Sequence, residues 1–202
     1  SFYNGTLSIR LDNQGGTLTV SGANATNPSN FKLAFTPLGG AAQTIGNASG
    51  YNVTNAINIT GGNGADTVAF APQAANPYRI PGNLSVNLGN GNDTILGQAG
   101  QDNIDGGVGD DSLDGGAGND SFLIAGPGKV VIDGGSGIDA LTLDRRDLTQ
   151  SVTVDVTPNI TLDPLLLGGG TIAGVEYLNL TTGAGDDQVA FHNLSNPSVQ
   201  VF

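Results

Sequence analysis

The sequence predicts an all-β chain built as a parallel solenoid, a β-roll or β-helix. Three observations predict it. Four nine-residue units follow one another without a gap from Leu88 to Leu123. Glycine makes up 33 of 202 residues, against a usual share of about 7%, and so many glycines are costly to order unless a repeated backbone geometry needs them. No segment keeps a helical period. The flanks alternate as strands do, in LSIRL (7–11), FKLAF (31–35), VTVDV (152–156) and YLNL (177–180).

The units read LGNGNDTIL, GQAGQDNID, GGVGDDSLD and GGAGNDSFL. Position 4 is always glycine, and position 6 is always aspartate (Asp93, Asp102, Asp111, Asp120). Position 8 is always large and apolar (Ile95, Ile104, Leu113, Phe122). Period-2 alternation sends position 8 inward, so each short strand supplies about one core side chain. Single copies recur at 61–69, 134–142 and 182–190, with Asp66, Asp139 and Asp187 at position 6.

A longer repeat frames the run. Residues 57–70 align with 178–191 at an offset of 121, with 8 of 14 positions identical. Phe31, Leu33 and Phe35 align with Val152, Val154 and Val156 at the same offset. This predicts a strand-rich unit at 1–80 carrying one loop of the nonapeptide type, a central roll at 81–133, and a second strand-rich unit at 134–202 related to 15–80.

Charge narrows the function classes. There are 18 acidic and 6 basic residues, a net −12, and every acid but Glu176 is aspartate. Short carboxylates set in turns suit a cation held partly by backbone oxygens. Nucleic acid is not an expected partner, since phosphate binding needs clustered Lys and Arg. The absence of Cys excludes thiolate metal sites and thiol catalysis. Membrane insertion is not expected, because apolar runs such as 122–125 span four residues, far short of the roughly 18 a helical span needs. His192 is the single histidine and has no catalytic partner pattern. The start at Ser1 reads as a processed product or a piece of something longer.

The nonapeptides closely resemble the RTX calcium-binding repeat of secreted bacterial proteins, G-G-x-G-x-D-x-U-x. The resemblance implies two repeats per turn of a flattened right-handed spiral, with Ca²⁺ between loops stacked 18 residues apart. It implies one site from Gly89, Gly91 and Asp93 with Gly106, Val108 and Asp111. A second takes Gln98, Gly100 and Asp102 with Gly115, Ala117 and Asp120. A third takes Gly116, Gly118 and Asp120 with Gly134, Ser136 and Asp139; its spacing is 19, so a bulge is expected there. Asp66 and Asp187 are further candidate ligands without an evident neighbour at 18 residues.

On this reading the chain is not an enzyme. It is a calcium-binding structural or adhesive module of a secreted or cell-surface protein, extracellular, folding on Ca²⁺ and self-associating end to end or adjoining similar units. The alternative is the secretion and folding module of an exported protease, lipase or alginate epimerase. A flat binder of ice or carbohydrate needs a regular Thr file, and position 7 (Thr94, Asn103, Ser112, Ser121) is mixed.

Overall fold

The computed structural model describes residues 2–3, 6–11, 13–24, 27–41, 43–45, 51–52, 56–70, 83–156, 160–162, 165–191 and 199–201. Among them there is no helix, hence none long and apolar enough to cross a membrane. His192 lies outside the described residues.

The strands, numbered in chain order, form two large sheets that are mostly parallel. The first runs β1 (Phe2–Tyr3), β2 (Thr6–Arg10), β7 (Ala56–Gly62), β9 (Asn83–Gly89), β11 (Asn103–Asp105), β13 (Ser121–Ala125), β15 (Ala140–Asp144), β19 (Tyr177–Thr181), β21 (Val199–Val201). The second runs β18 (Thr171–Ala173), β14 (Val130–Asp133), β12 (Asp111–Ala117), β10 (Thr94–Ala99), β8 (Asp66–Phe70), β3 (Gly16–Asn24), β4 (Asn27–Pro37), β5 (Gln43–Ile45). A small third sheet holds β17 (Ile160–Leu162), β16 (Thr153–Val156) and β20 (Gln188–Phe191). From β7 to β15 consecutive strands alternate between the two large sheets, and each pairs in parallel with the next strand but one.

The register stacks like on like. Val68, Ile95, Leu113, Ile132 and Ile172 form one column, and Ile59, Val86, Ile104, Phe122, Leu141 and Leu178 the other. The four position-8 residues are at most 2% exposed, and both columns join one apolar cluster. Full burial of one such side chain is worth about 1.5–3 kcal/mol. The core is therefore a single layer that gains only a few such terms per coil.

The sheets cross both expected unit boundaries. Strand β7 pairs β9 across residue 80, while β12–β14 and β13–β15 tie the central run to the strands after it. The aligned flanks differ in pairing. Strands β7 and β19 both lie in the first sheet, but β8 joins the second sheet while its counterpart β20 pairs β16 in the third. At the N-terminal side each large sheet ends in antiparallel strands, β1 on β2 and β4 on β3. Buried Arg145 pairs with Asp147 at 3.0 Å and donates to the Leu166 carbonyl, holding the segment between β15 and β18.

Candidate metal centre

The site is built where the chain crosses between sheets. Stacked loops must approach closely, and only glycine permits it. At Gly109 and Gly118 φ is +140°, and a Cβ would fall 1.6 Å from Gly91 O and 1.5 Å from Gly100 O. The close loops exchange backbone hydrogen bonds: Gly91 N–H to Val108 O at 2.9 Å, Gly100 N–H to Ala117 O at 2.8 Å, and Gly118 N–H to Ser136 O at 2.8 Å. These bonds join Gly91 with Val108, Gly100 with Ala117 and Gly118 with Ser136, one pair from each of the three sets expected from the repeats. Ala117 faces Ser136 in continuous register with β13–β15, so no bulge intrudes at the third. The extra residue falls upstream: pairing is offset by 18 between β11 and β13 and by 19 between β12 and β14, so loop 126–129 absorbs it.

Six aspartates line the loops: Asp66, Asp93, Asp102, Asp111, Asp120 and Asp139, each at most 3% exposed. They form two ladders, one on each side. On one, Asp66 N–H donates to Asp93 Oδ1 at 2.7 Å and Asp93 N–H to Asp111 Oδ1 at 3.0 Å. That ladder ends where Asp111 N–H meets the Lys129 carbonyl. On the other, Leu84 N–H donates to Asp102 Oδ1 at 2.9 Å, Asp102 N–H to Asp120 Oδ1 at 2.8 Å, and Asp120 N–H to Asp139 Oδ1 at 2.7 Å.

The second oxygens decide the chemistry. Oδ2 of Asp93, Asp102, Asp111, Asp120 and Asp139 is buried and accepts no hydrogen bond. A buried, unsatisfied carboxylate oxygen is strongly unfavourable unless something positive sits against it. The position-1 glycines mark the place. A Cβ on Gly106, Gly115 or Gly134 would lie 2.8, 2.5 or 2.8 Å from Oδ2 of Asp111, Asp120 or Asp139. At Gly115 the Gly134 carbonyl also comes within 2.9 Å of that point. Among the described residues no three His, Cys, Asp or Glu side chains group as a metal site, so backbone carbonyls must supply most ligands. Several of them already accept one N–H, and a carbonyl keeps a second lone pair. An all-oxygen, mixed carboxylate–carbonyl set fits a hard cation of flexible coordination.

Electrostatics agrees. Burial, then the neighbouring Asp111 and Asp66 charges, pushes Asp93 up to about 7 against the pull of the Asp66 N–H. Burial likewise raises Asp111 and Asp120 to about 6, and raises Asp102 and Asp139. Without a cation, burial thus makes the ladder carboxyls harder to ionise than free aspartates.

Two features lay beyond the 18-residue rule. Asp66 joins its ladder through Asp93, 27 residues on, and Glu176 accepts from Asp139 N–H at 2.8 Å. Asp187 belongs to neither ladder; its Oδ1 accepts from Val152 N–H at 3.0 Å, and a hydrogen bond from Thr182 holds it below the usual range. Asp120 serves as rung to both Asp102 and Asp139, so Asp120→Ala should raise the calcium midpoint of folding severalfold and Asp187→Ala far less. A circular dichroism titration giving equal or reversed shifts would refute the stacking.

Residues 88–122 match the family model of the RTX calcium-binding nonapeptide repeat, in four copies. No curated protein and no solved structure matches the chain. The centre of the molecule thus carries RTX nonapeptides, which are calcium-binding repeats.

Proposed function

We propose that the chain is a calcium-folded structural module of a secreted or cell-surface bacterial protein, its two sheets wound as a right-handed β-roll. The observation that carries this is the pair of buried aspartate ladders, five of whose oxygens face no donor. Such a chain stays open where calcium is scarce and closes outside the cell. The three mapped sites, with Asp66 as a further ligand, serve folding and hold no catalytic group. A calcium titration followed by size-exclusion chromatography tests it, with the hydrodynamic radius expected to fall to that of a compact chain by millimolar calcium. A radius indifferent to calcium would sink the reading.

The module further serves as one unit of an adhesive or layered surface. Among the described residues, strands β18 and β21 come last in their sheets, and a parallel edge can accept another strand. With calcium, light scattering should show growth with concentration. A strictly monomeric chain would instead support a folding module attached to an exported enzyme.

A further inference from the structure

The second ladder continues past the repeats. Asp139 is fully buried; its Oδ1 accepts from Asp120 N–H, and its Oδ2 accepts no hydrogen bond. The next rung is Glu176, the chain's one glutamate, whose Oε2 accepts from Asp139 N–H at 2.8 Å. Glu176 is exposed, unlike the ladder aspartates, and its loop is shorter than a repeat loop but still pairs with loop 134–139 through the backbone. Gly134 N–H donates to Ala173 O, and the Glu176 and Tyr177 N–H groups both donate to Asp139 O, each at 2.9 Å.

A Cβ built on Gly134 would lie 2.8 Å from Asp139 Oδ2 and 1.8 Å from Gly174 O. One coil earlier the same point on Gly115 gathers Asp120 Oδ2 and Gly134 O. Gly174 O therefore stands to Asp139 as Gly134 O stands to Asp120. The backbone below repeats too, with φ of +90° and +148° at Gly135 and Gly137 against +94° and +140° at Gly116 and Gly118.

We propose that a further calcium site lies between loops 135–139 and 174–176, held by the Asp139 and Glu176 carboxylates and the carbonyls of Gly174, Gly135 and Gly137. It rests on the calcium reading above but lies outside the matched repeats. Its two carboxylates are 37 residues apart, with β15, β16, β17 and β18 between them. The site is complete only when that segment has folded and β19 has docked on β15. Calcium here acts as a latch on the last coils. Glutamate suits the position because its extra methylene lets a carboxylate reach the ion from a loop that does not follow the nonapeptide path.

Equilibrium dialysis with calcium on the full chain and on Glu176→Gln tests it. Gln keeps an oxygen for the Asp139 N–H and removes the charge, so the variant should fold and bind one ion fewer per chain. An equal count, with the wild-type chain loaded, would overturn the latch and leave the central sites standing. A wild-type chain that binds no calcium would overturn the reading beneath it. Terbium is the second probe, because Tyr177 adjoins Glu176 in a chain without Trp. Tyrosine-sensitised emission gained with the last terbium bound should be lost in Tyr177→Phe, which leaves every ligand in place. Should Glu176→Gln fail to fold, unchanged emission from Tyr177→Phe overturns the latch alone.

Discussion

In excess chelator at neutral pH the chain should give the far-ultraviolet circular dichroism of a disordered polypeptide, and millimolar Ca²⁺ should convert it to a strand spectrum. The core is one layer thick, so apolar burial is set against an ordering cost of about 1–2 kcal/mol per residue with little surplus. The buried carboxylates add repulsion and desolvation to that cost when no cation is present. A bound ion reverses both. A site at 100 times its Kd contributes about 2.7 kcal/mol, so three or more sites rival the roughly 5–15 kcal/mol of a whole domain. Mg²⁺ should act far less well, since it demands near-octahedral geometry at about 2.0–2.1 Å and keeps its waters. A strand spectrum that chelator leaves intact would defeat this account.

The central run was legible because its sequence period is half the spacing of its paired strands. Two nonapeptides separate a strand from its partner in the same sheet, so Asp93–Asp111 and Asp102–Asp120 could be paired by counting, and position 8 could be placed in the core. Counting fails where coils differ in length. Asp66 meets Asp93 after 27 residues and Asp139 meets Glu176 after 37, and composition offers no measure of such excursions. The misplaced bulge has the same cause: a spacing of 19 shows that a residue was added, while pairing shows that loop 126–129 took it up. The 121-residue offset identified related sequences but not related pairing. Leu33 meets Val20 in the second sheet, whereas its counterpart Val154 meets Leu162 and Val189 in the third. Which edge a strand finds depends on the strand already beside it.

Acid should stabilise the metal-free chain and weaken the calcium-loaded one. Burial raises Asp93 from 3.8 to about 7, and Asp111 and Asp120 to about 6. A carboxyl whose folded pKa lies above its unfolded value binds its proton more tightly when folded. Its favourable contribution is complete below about pH 4 and is lost as pH rises through 6 to 7. Metal-free chain should therefore gain strand signal on acidification from pH 7.5 to about 4.5, with protons standing in for the cation against the buried oxygens. Calcium needs the same oxygens ionised, so binding must expel those protons. Below the raised pKa values each proton displaced costs about tenfold in affinity per pH unit. Across pH 7.5 to 5 the calcium midpoint should rise by well over tenfold, and calorimetry in buffers of different ionisation enthalpy should register proton release at pH 6. A metal-free spectrum flat across this range, or a calcium midpoint indifferent to it, would show that the ladder carboxylates are not the ligands.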